Sequence, residues 1–349
     1  MGDQVKGRLL ASSLTAALLG LSAFLVVASA APPAASLNAR AHDPAVVAGA
    51  RAAFEKYMSS HAPRVAGGGW VSPGAQHPGA ARPASGGVTS LPSVNWSGFA
   101  DSSSTSTADH FSYVSGHWTI PRVSCLRAPY QNQDAFVANW VGLDGFTNQT
   151  VEQLGTAAAC YENVLYYYVW YEMFPAGTVE EGTTACINDN VDCPQPGDQI
   201  SASVAVKPGT AGENDYTLSL TDSTHPQESF SVNQQCAADV CADSSAEWIV
   251  ERPAYEPIAG LFQFVPLVDY GRTGFSQGSL VANGRPSSIG GFRGGVYSVP
   301  MFDDSVSYYL DCPGQRAPVG SLLAFTAANC PAVPPSFSGG FSVTWDSSF

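Results

Sequence analysis

"VLYYYVWYEMF" (164–174) decides the fold class of this chain. Aromatic and β-branched side chains fill it, and such residues fit a pleated, half-buried strand. Strand side chains alternate between faces. Tyr168, Trp170, Glu172 and Phe174 therefore share one face. Similar short runs recur: "HWTIP" (117–121), "AFVANWVGL" (135–143), "ISASVAV" (200–206), "YTLSLT" (216–221), "ESFSV" (228–232), "EWIVE" (247–251) and "GGFSVTW" (339–345). Gly, Pro, Asn and Asp separate them. Regular short strands with turn signals predict an all-β sandwich or barrel. With 45% hydrophobic residues the chain can fill a core, although only 13% of it is charged.

Three segments precede or form this domain. Residues 1–30 carry Lys6 and Arg8, then an apolar run, then Ala28-Ser29-Ala30. That is the layout of a cleaved secretory signal, which predicts an exported protein with no membrane segment after cleavage. The run from Leu9 to Val27 is long, so a signal anchor is the competing reading. Residues 31–92 are rich in Ala, Pro, Gly and Ser and read as a prosegment and linker. Within them, "DPAVVAGARAAFEKYMSSH" (43–61) predicts one helix, with Asp43 near its start. Residues 93–349 form the β domain. All 8 cysteines lie after the signal, which in an exported chain predicts disulfides. Cys186 with Cys193 and Cys236 with Cys241 are close enough to close small loops; the other pairings stay open.

Charge is unevenly spread. Residues 93–349 hold 26 acidic against 8 basic side chains, whereas residues 31–92 hold five basic and two acidic ones. A domain this acidic excludes nucleic acid as a partner. A basic leader before it suggests docking by charge, to be weakened in acid as carboxylates lose their charge below roughly pH 4.

The common catalytic patterns fail. "GFSQG" (274–278) fits G-x-S-x-G, but no histidine follows His225, so the serine-hydrolase order is broken. There is no H-E-x-x-H, and His110 with His117 make a poor metal site. "NWS" (95–97) and "NQT" (148–150) fit the glycosylation pattern. What remains is acids and amides beside aromatic residues. Trp140, Gly142 and Asp144 share one strand face. Glu247, Ile249 and Glu251 share another, and alternation cannot choose between the two glutamates. Aromatic and acidic side chains on one concave sheet suit a peptide or a sugar.

Several stretches in order resemble the glutamic peptidases, or eqolisins: "NWSGF" (95–99), "NWVGLDG" (139–145), "VEQLGT" (151–156), "YYVWYEMFP" (167–175), "AEWIVERP" (246–253), "PLVDYG" (266–271) and "FSVTW" (341–345). The resemblance spans essentially all of residues 93–349. It implies a lectin-like sandwich of two antiparallel sheets, one concave, and a secreted preproenzyme that acts as a monomer in acid on proteins or peptides. It also implies a catalytic pair, Gln153 and Glu251, with Trp140, Asp144, Trp170 and Glu172 around the substrate. No metal or cofactor is implied, and the prosegment is expected to inhibit its own enzyme. Two positions depart from the family pattern: Glu152, where an apolar residue is usual, and Met173-Phe174, where a Trp-Tyr pair is usual. In such a pair Glu251 is the general base and then acid on water, and Gln153 donates to the oxyanion. Two other readings remain open, a lectin-fold glycoside hydrolase using Glu172 and Glu251 and a binding module without catalysis.

Overall fold

The computed structural model describes residues 39–58, 88–302 and two later strands, apart from short stretches at 92, 103–108, 127–132, 147, 188–192, 208–214, 237–240, 259–260 and 293–294. A two-residue ribbon, Arg64–Val65 with Gly69–Trp70, is also described. Residues 1–38, where a signal was expected, most of residues 59–87, Cys312 and Cys330 lie outside the described residues.

Among the described residues, one α-helix, a 3-10 turn at Pro226–Glu228 and nineteen further strands follow in chain order. They are α1 (Pro44–Tyr57), β1 (Val88–Ser90), β2 (Trp96–Ser102), β3 (Phe111–Thr119), β4 (Ala135–Leu143), β5 (Val151–Tyr161), β6 (Val164–Phe174) and β7 (Thr178–Ile187). Next come β8 (Gln199–Val206), β9 (Asp215–Asp222), β10 (Phe230–Gln235), β11 (Ser245–Glu251), β12 (Ala254–Ile258), β13 (Leu261–Phe264) and β14 (Arg272–Ala282). The last are β15 (Arg285–Ser288), β16 (Val296–Val299), β17 (Met301–Phe302), β18 (Leu322–Thr326) and β19 (Phe341–Trp345).

Two sheets stack. The first runs β1-β16-β2-β11-β4-β5-β6-β7, and the second runs β10-β9-β8-β3-β14-β19-β18-β17, with β15 beside β14. Every pairing in them is antiparallel except β16 with β1. The core between them is built by alternation. From the first sheet come Val137, Val141, Leu154, Tyr167, Val169, Trp248 and Val250; from the second come Val114, Trp118, Val204, Leu218, Phe275 and Leu280. The all-β sandwich expected from the sequence is the architecture observed. "GFSQG" lies inside β14 at a bulge, not on a strand-turn-helix elbow.

Two disulfides are described in full. Cys236–Cys241 closes the short loop anticipated from its spacing, and Cys125–Cys160 ties the segment after β3 to the end of β5. Cys193 is disulfide-bonded as well.

The first sheet has a second apolar layer on its other face. Trp96, Ala138, Trp140, Ala157, Ala159, Tyr166, Tyr168, Trp170 and Ile249 pack there with Ala50, Ala53, Phe54 and Met58 of the leader. Asp43 starts α1 by accepting the Ala45 N–H at 2.9 Å, and Pro44 occupies the first turn, where no donor is lost. The helix stops at Tyr57, short of the sequence-based estimate. Phe54 stacks on Tyr168 with ring centroids 4.2 Å apart. The Tyr57 hydroxyl donates to Asp134 at 2.8 Å, and the Thr178 hydroxyl to the Met58 carbonyl at 2.6 Å. Arg51 reaches Glu180 at 3.2 Å. Gly49 admits the Tyr161 ring: a Cβ there would lie 2.5 Å from its hydroxyl.

Candidate active site

The register of the first sheet sets the site out in three rows on the face that α1 covers. One row is Glu251, Ala138, Ala157 and Tyr168. The next is Ile249, Trp140, Gly155 and Trp170. The third is Glu247, Gly142, Gln153 and Glu172. Glu251 and Gln153 thus lie on a diagonal, two strands apart, with Trp140 in the row between them. Ala138, Ala157, Gly142 and Gly155 keep the floor low. Gly155 is required there, because a Cβ would lie 2.1 Å from the Asn139 carbonyl oxygen and 2.7 Å from the Trp140 Cβ.

Glu251 is fully buried and held at both oxygens. Trp140 Nε1 donates to Oε2 at 2.8 Å, and Asn95 Nδ2 donates to Oε1 at 3.2 Å. Asn95 is itself oriented by the Ser93 hydroxyl, which donates to its side-chain oxygen at 3.0 Å and accepts its backbone N–H at 3.2 Å. Trp96 packs edge-on against Trp140, with centroids 4.8 Å apart. Asn95 opens the "NWSGF" stretch and also reads as a glycosylation pattern, but no role at the site was expected of it; its amide nitrogen is buried against Glu251, which leaves no room for a glycan.

Gln153 is also fully buried. Its Nε2 donates to Glu172 Oε2 at 2.7 Å, while its Oε1 has no hydrogen-bond partner. Glu172 Oε1 lies 3.2 Å from the Thr178 hydroxyl, the group that also reaches Met58. The end of the leader helix is therefore linked through Thr178 and Glu172 to Gln153. Glu172 and Glu251 sit three strands apart in different rows. Spacings of about 4.8 Å between strands set their backbones roughly 14 Å or more apart, a wide setting for the roughly 5–9 Å carboxyl separation of a glycosidase pair.

Asp144 stands elsewhere. Its backbone is left-handed (φ 66), so the alternation that would put it beside Trp140 ends there. The carboxylate accepts the N–H groups of Ala242, Asp243 and Ser244 at 2.7–2.8 Å and the Ser244 hydroxyl at 2.9 Å. It anchors the loop that feeds β11, and its lone pairs are used in doing so. Trp140 and Trp170 line the covered face, both buried.

Glu152 points to the opposite side of the sheet from Gln153. Both of its oxygens are buried and receive no N–H donor, and its carboxyl lies against that of Asp144. Burial pushes its carboxyl well above the ordinary range, and the neighbouring Asp144, Asp243 and Glu247 add to the shift. Glu247 is likewise buried and pushed well up, with Asp144 and Asp101 contributing. Tyr216 donates to Asp243 Oδ1 at 2.6 Å. The same row logic that places Glu247 on the covered face thus puts it at the acidic end, away from the Trp140–Asn95 clamp that holds Glu251.

A sequence profile of the Peptidase A4 family matches residues 94–298. Aspergillopepsin-2 of Aspergillus niger is 25% identical over an alignment of 213 positions that covers 57% of this chain and 67% of that protein. Scytalido-glutamic peptidase, solved with a transition state analog inhibitor, shares the fold at a TM-score of 0.50 and 19% identity, over 72% of this chain and 98% of its own. The sandwich, the matched span and these relatives agree, and the chain belongs to the Peptidase A4 family, the eqolisin glutamic endopeptidases.

Proposed function

We propose that this endopeptidase hydrolyses peptide bonds with Glu251 and Gln153, in acid and outside the cell. The observation that carries the reading is the double clamp on Glu251 by Trp140 and Asn95. A carboxylate fixed in this way faces a bound water in one orientation, takes its proton, and returns it to the leaving nitrogen. Glutamate side chains in water ionise near roughly pH 4.3, so a general base of this type suits mild to strong acid. Gln153 has two Nε2 hydrogens. One is held by Glu172; the other is available to the oxyanion, a contribution of roughly 3 kcal/mol. Asp144 holds the loop before β11 and so positions Glu251 along its strand. Trp140 and Trp170 form the apolar floor on which a peptide lies. Glu251→Gln and Gln153→Ala should each abolish casein digestion near pH 3 while the far-UV spectrum stays native. Full activity in either variant would overturn the assignment.

The leader acts as the inhibitor in this reading, since α1 lies on the face that carries the pair. Its hold is mainly apolar, through Ala50, Ala53, Phe54 and Met58. Two ion pairs, Arg51–Glu180 and Arg40–Glu162, add a charged part to it. Burial pushes the carboxyls of Asp134 and Glu180 up, and Tyr57 and Arg51 recover only part of the shift. A carboxyl raised in this way keeps its proton more readily, so acid does not open the contact through these two groups. Activation then needs a cut in the leader. A peptide of residues 39–58 added to the mature domain should bind at least as well at pH 3 as at pH 7. Tenfold weaker binding at pH 3 would restore the charge-driven mechanism.

A further inference from the structure

Asp198, Asp222 and His225 meet on the second sheet, not the one that carries Gln153 and Glu251. Asp198 precedes β8, Asp222 ends β9, and His225 follows in the next turn; Ile200 pairs with Asp222 and brings the two segments level. One ligand atom from each of the three lies within 4.8 Å of the others. Both carboxylates are buried, while the His225 side chain is 21% exposed.

Each carboxylate is pinned through one oxygen. Asp222 Oδ1 accepts the N–H groups of Thr224 and His225 at 2.8 and 2.9 Å. Asp198 Oδ2 accepts the Gln195 N–H at 2.6 Å and faces His225 Nδ1 at 2.7 Å. The Ser223 N–H to Gln199 carbonyl bond, 3.0 Å, holds the two loops together. Asp222 Oδ2 remains: it is buried and takes no backbone or side-chain N–H, and the Asp222 carboxyl lies against that of Asp198. Two carboxylates this close inside a protein cannot both stay charged unless a proton or a cation stands between them.

We propose that Asp198, Asp222 and His225 form a binding site for a divalent metal of the zinc class. The donor set is one imidazole and two carboxylates, which suits a borderline cation, with the exposed side open for water as a fourth ligand. The backbone amides act as the outer shell that orients the carboxylates. The metal takes the place of the proton shared by His225 Nδ1 and Asp198. Tetrahedral ligands about 2.0–2.1 Å from zinc stand roughly 3.3 Å apart, so that pair opens by about half an ångström. The ion staples the β8–β9 end of the sandwich and takes no part in peptide hydrolysis.

The test uses the full chain without a polyhistidine tag, stripped by a chelator and titrated with zinc chloride at pH 7. Calorimetry and thermal unfolding are read in parallel. The expected result is a single zinc per chain that raises Tm. Asp222→Asn and His225→Gln should each weaken binding roughly 10–100-fold and remove the rise; His117→Gln should change neither. No zinc binding by the wild-type chain, or undiminished binding in His225→Gln, overturns the proposal and leaves Asp198–His225 as an ion pair alone. Should Asp222→Asn fail to fold, His225→Gln decides by itself, because that side chain is partly exposed and its loss leaves the core intact.

Discussion

The two sheets are written in the same alternating code and are buried differently. In the second sheet, β8 and β9 alternate buried with half-exposed residues, as expected of a sheet with one face to solvent. In the first, β4, β5, β6 and β11 are buried almost without a break. The cause is the second layer beneath α1, where Phe54 and Met58 meet Tyr168, Trp140 and Trp170. The difference marks the face on which the proposed catalytic pair lies. One face of the second sheet is left to solvent; the first sheet holds an amide and carboxylates among aromatic rings, with α1 packed over them.

This contrast is open to direct attack, and the largest effect belongs to the covered face. Glu251→Gln should lower kcat/KM by at least about a thousandfold, or roughly 4 kcal/mol. Ser201→Ala, at the His117 contact on the second sheet, should leave it unchanged in the same assay. Next comes the floor of the site. Gly155→Ala forces backbone and Trp140 apart, and should cost about 3 kcal/mol or more in urea unfolding, since the clash is with backbone and cannot be relieved by a rotamer.

The third test uses pH. Burial holds Glu152, Glu247 and Asp101 well above the ordinary carboxyl range. Unfolded, these groups ionise near roughly pH 4. Above that point the folded protein binds protons that the unfolded chain has lost, so stability is greatest in acid and falls as pH rises towards the folded values. Tm should therefore decline from pH 4 to pH 8, and Glu152→Leu should flatten the decline. A wild-type Tm that is level across this range would remove the explanation. The smallest effect separates the two faces by packing alone. Ala157→Val on the covered face should destabilise by about 1–3 kcal/mol through overpacking. Thr217→Val, whose hydroxyl reaches Asn233 on the open face, should change stability by no more than about 0.5 kcal/mol.

Much of this was legible in the residues. Alternating aromatic runs predict strands because side-chain period is a local property of the backbone. Asp43-Pro44 marks a helix start for the same reason, and Cys236 with Cys241 can close only a short loop. The harder parts involve distant partners. Alternation puts Glu247 and Glu251 on one face; the resemblance to the glutamic peptidases, not the strand, singles out Glu251. Asn95 reads as a sequon and as the start of a family-like stretch, with no partner named, until the fold brings it to Glu251 across 156 positions. Asp144 reads as part of a strand face until its left-handed backbone turns it towards residues 242–244.

By itself the sequence determined an all-β sandwich, a helical leader ahead of it and the family's short motifs in order, because these depend on residue type and near-neighbour spacing. Only the tertiary structure decided which carboxylate is clamped, what lies over the cleft face, and that Asp198, Asp222 and His225 converge. Those outcomes depend on register between strands far apart in the chain, and on burial, which sets the protonation and partners of an acid and is not a property of any residue alone.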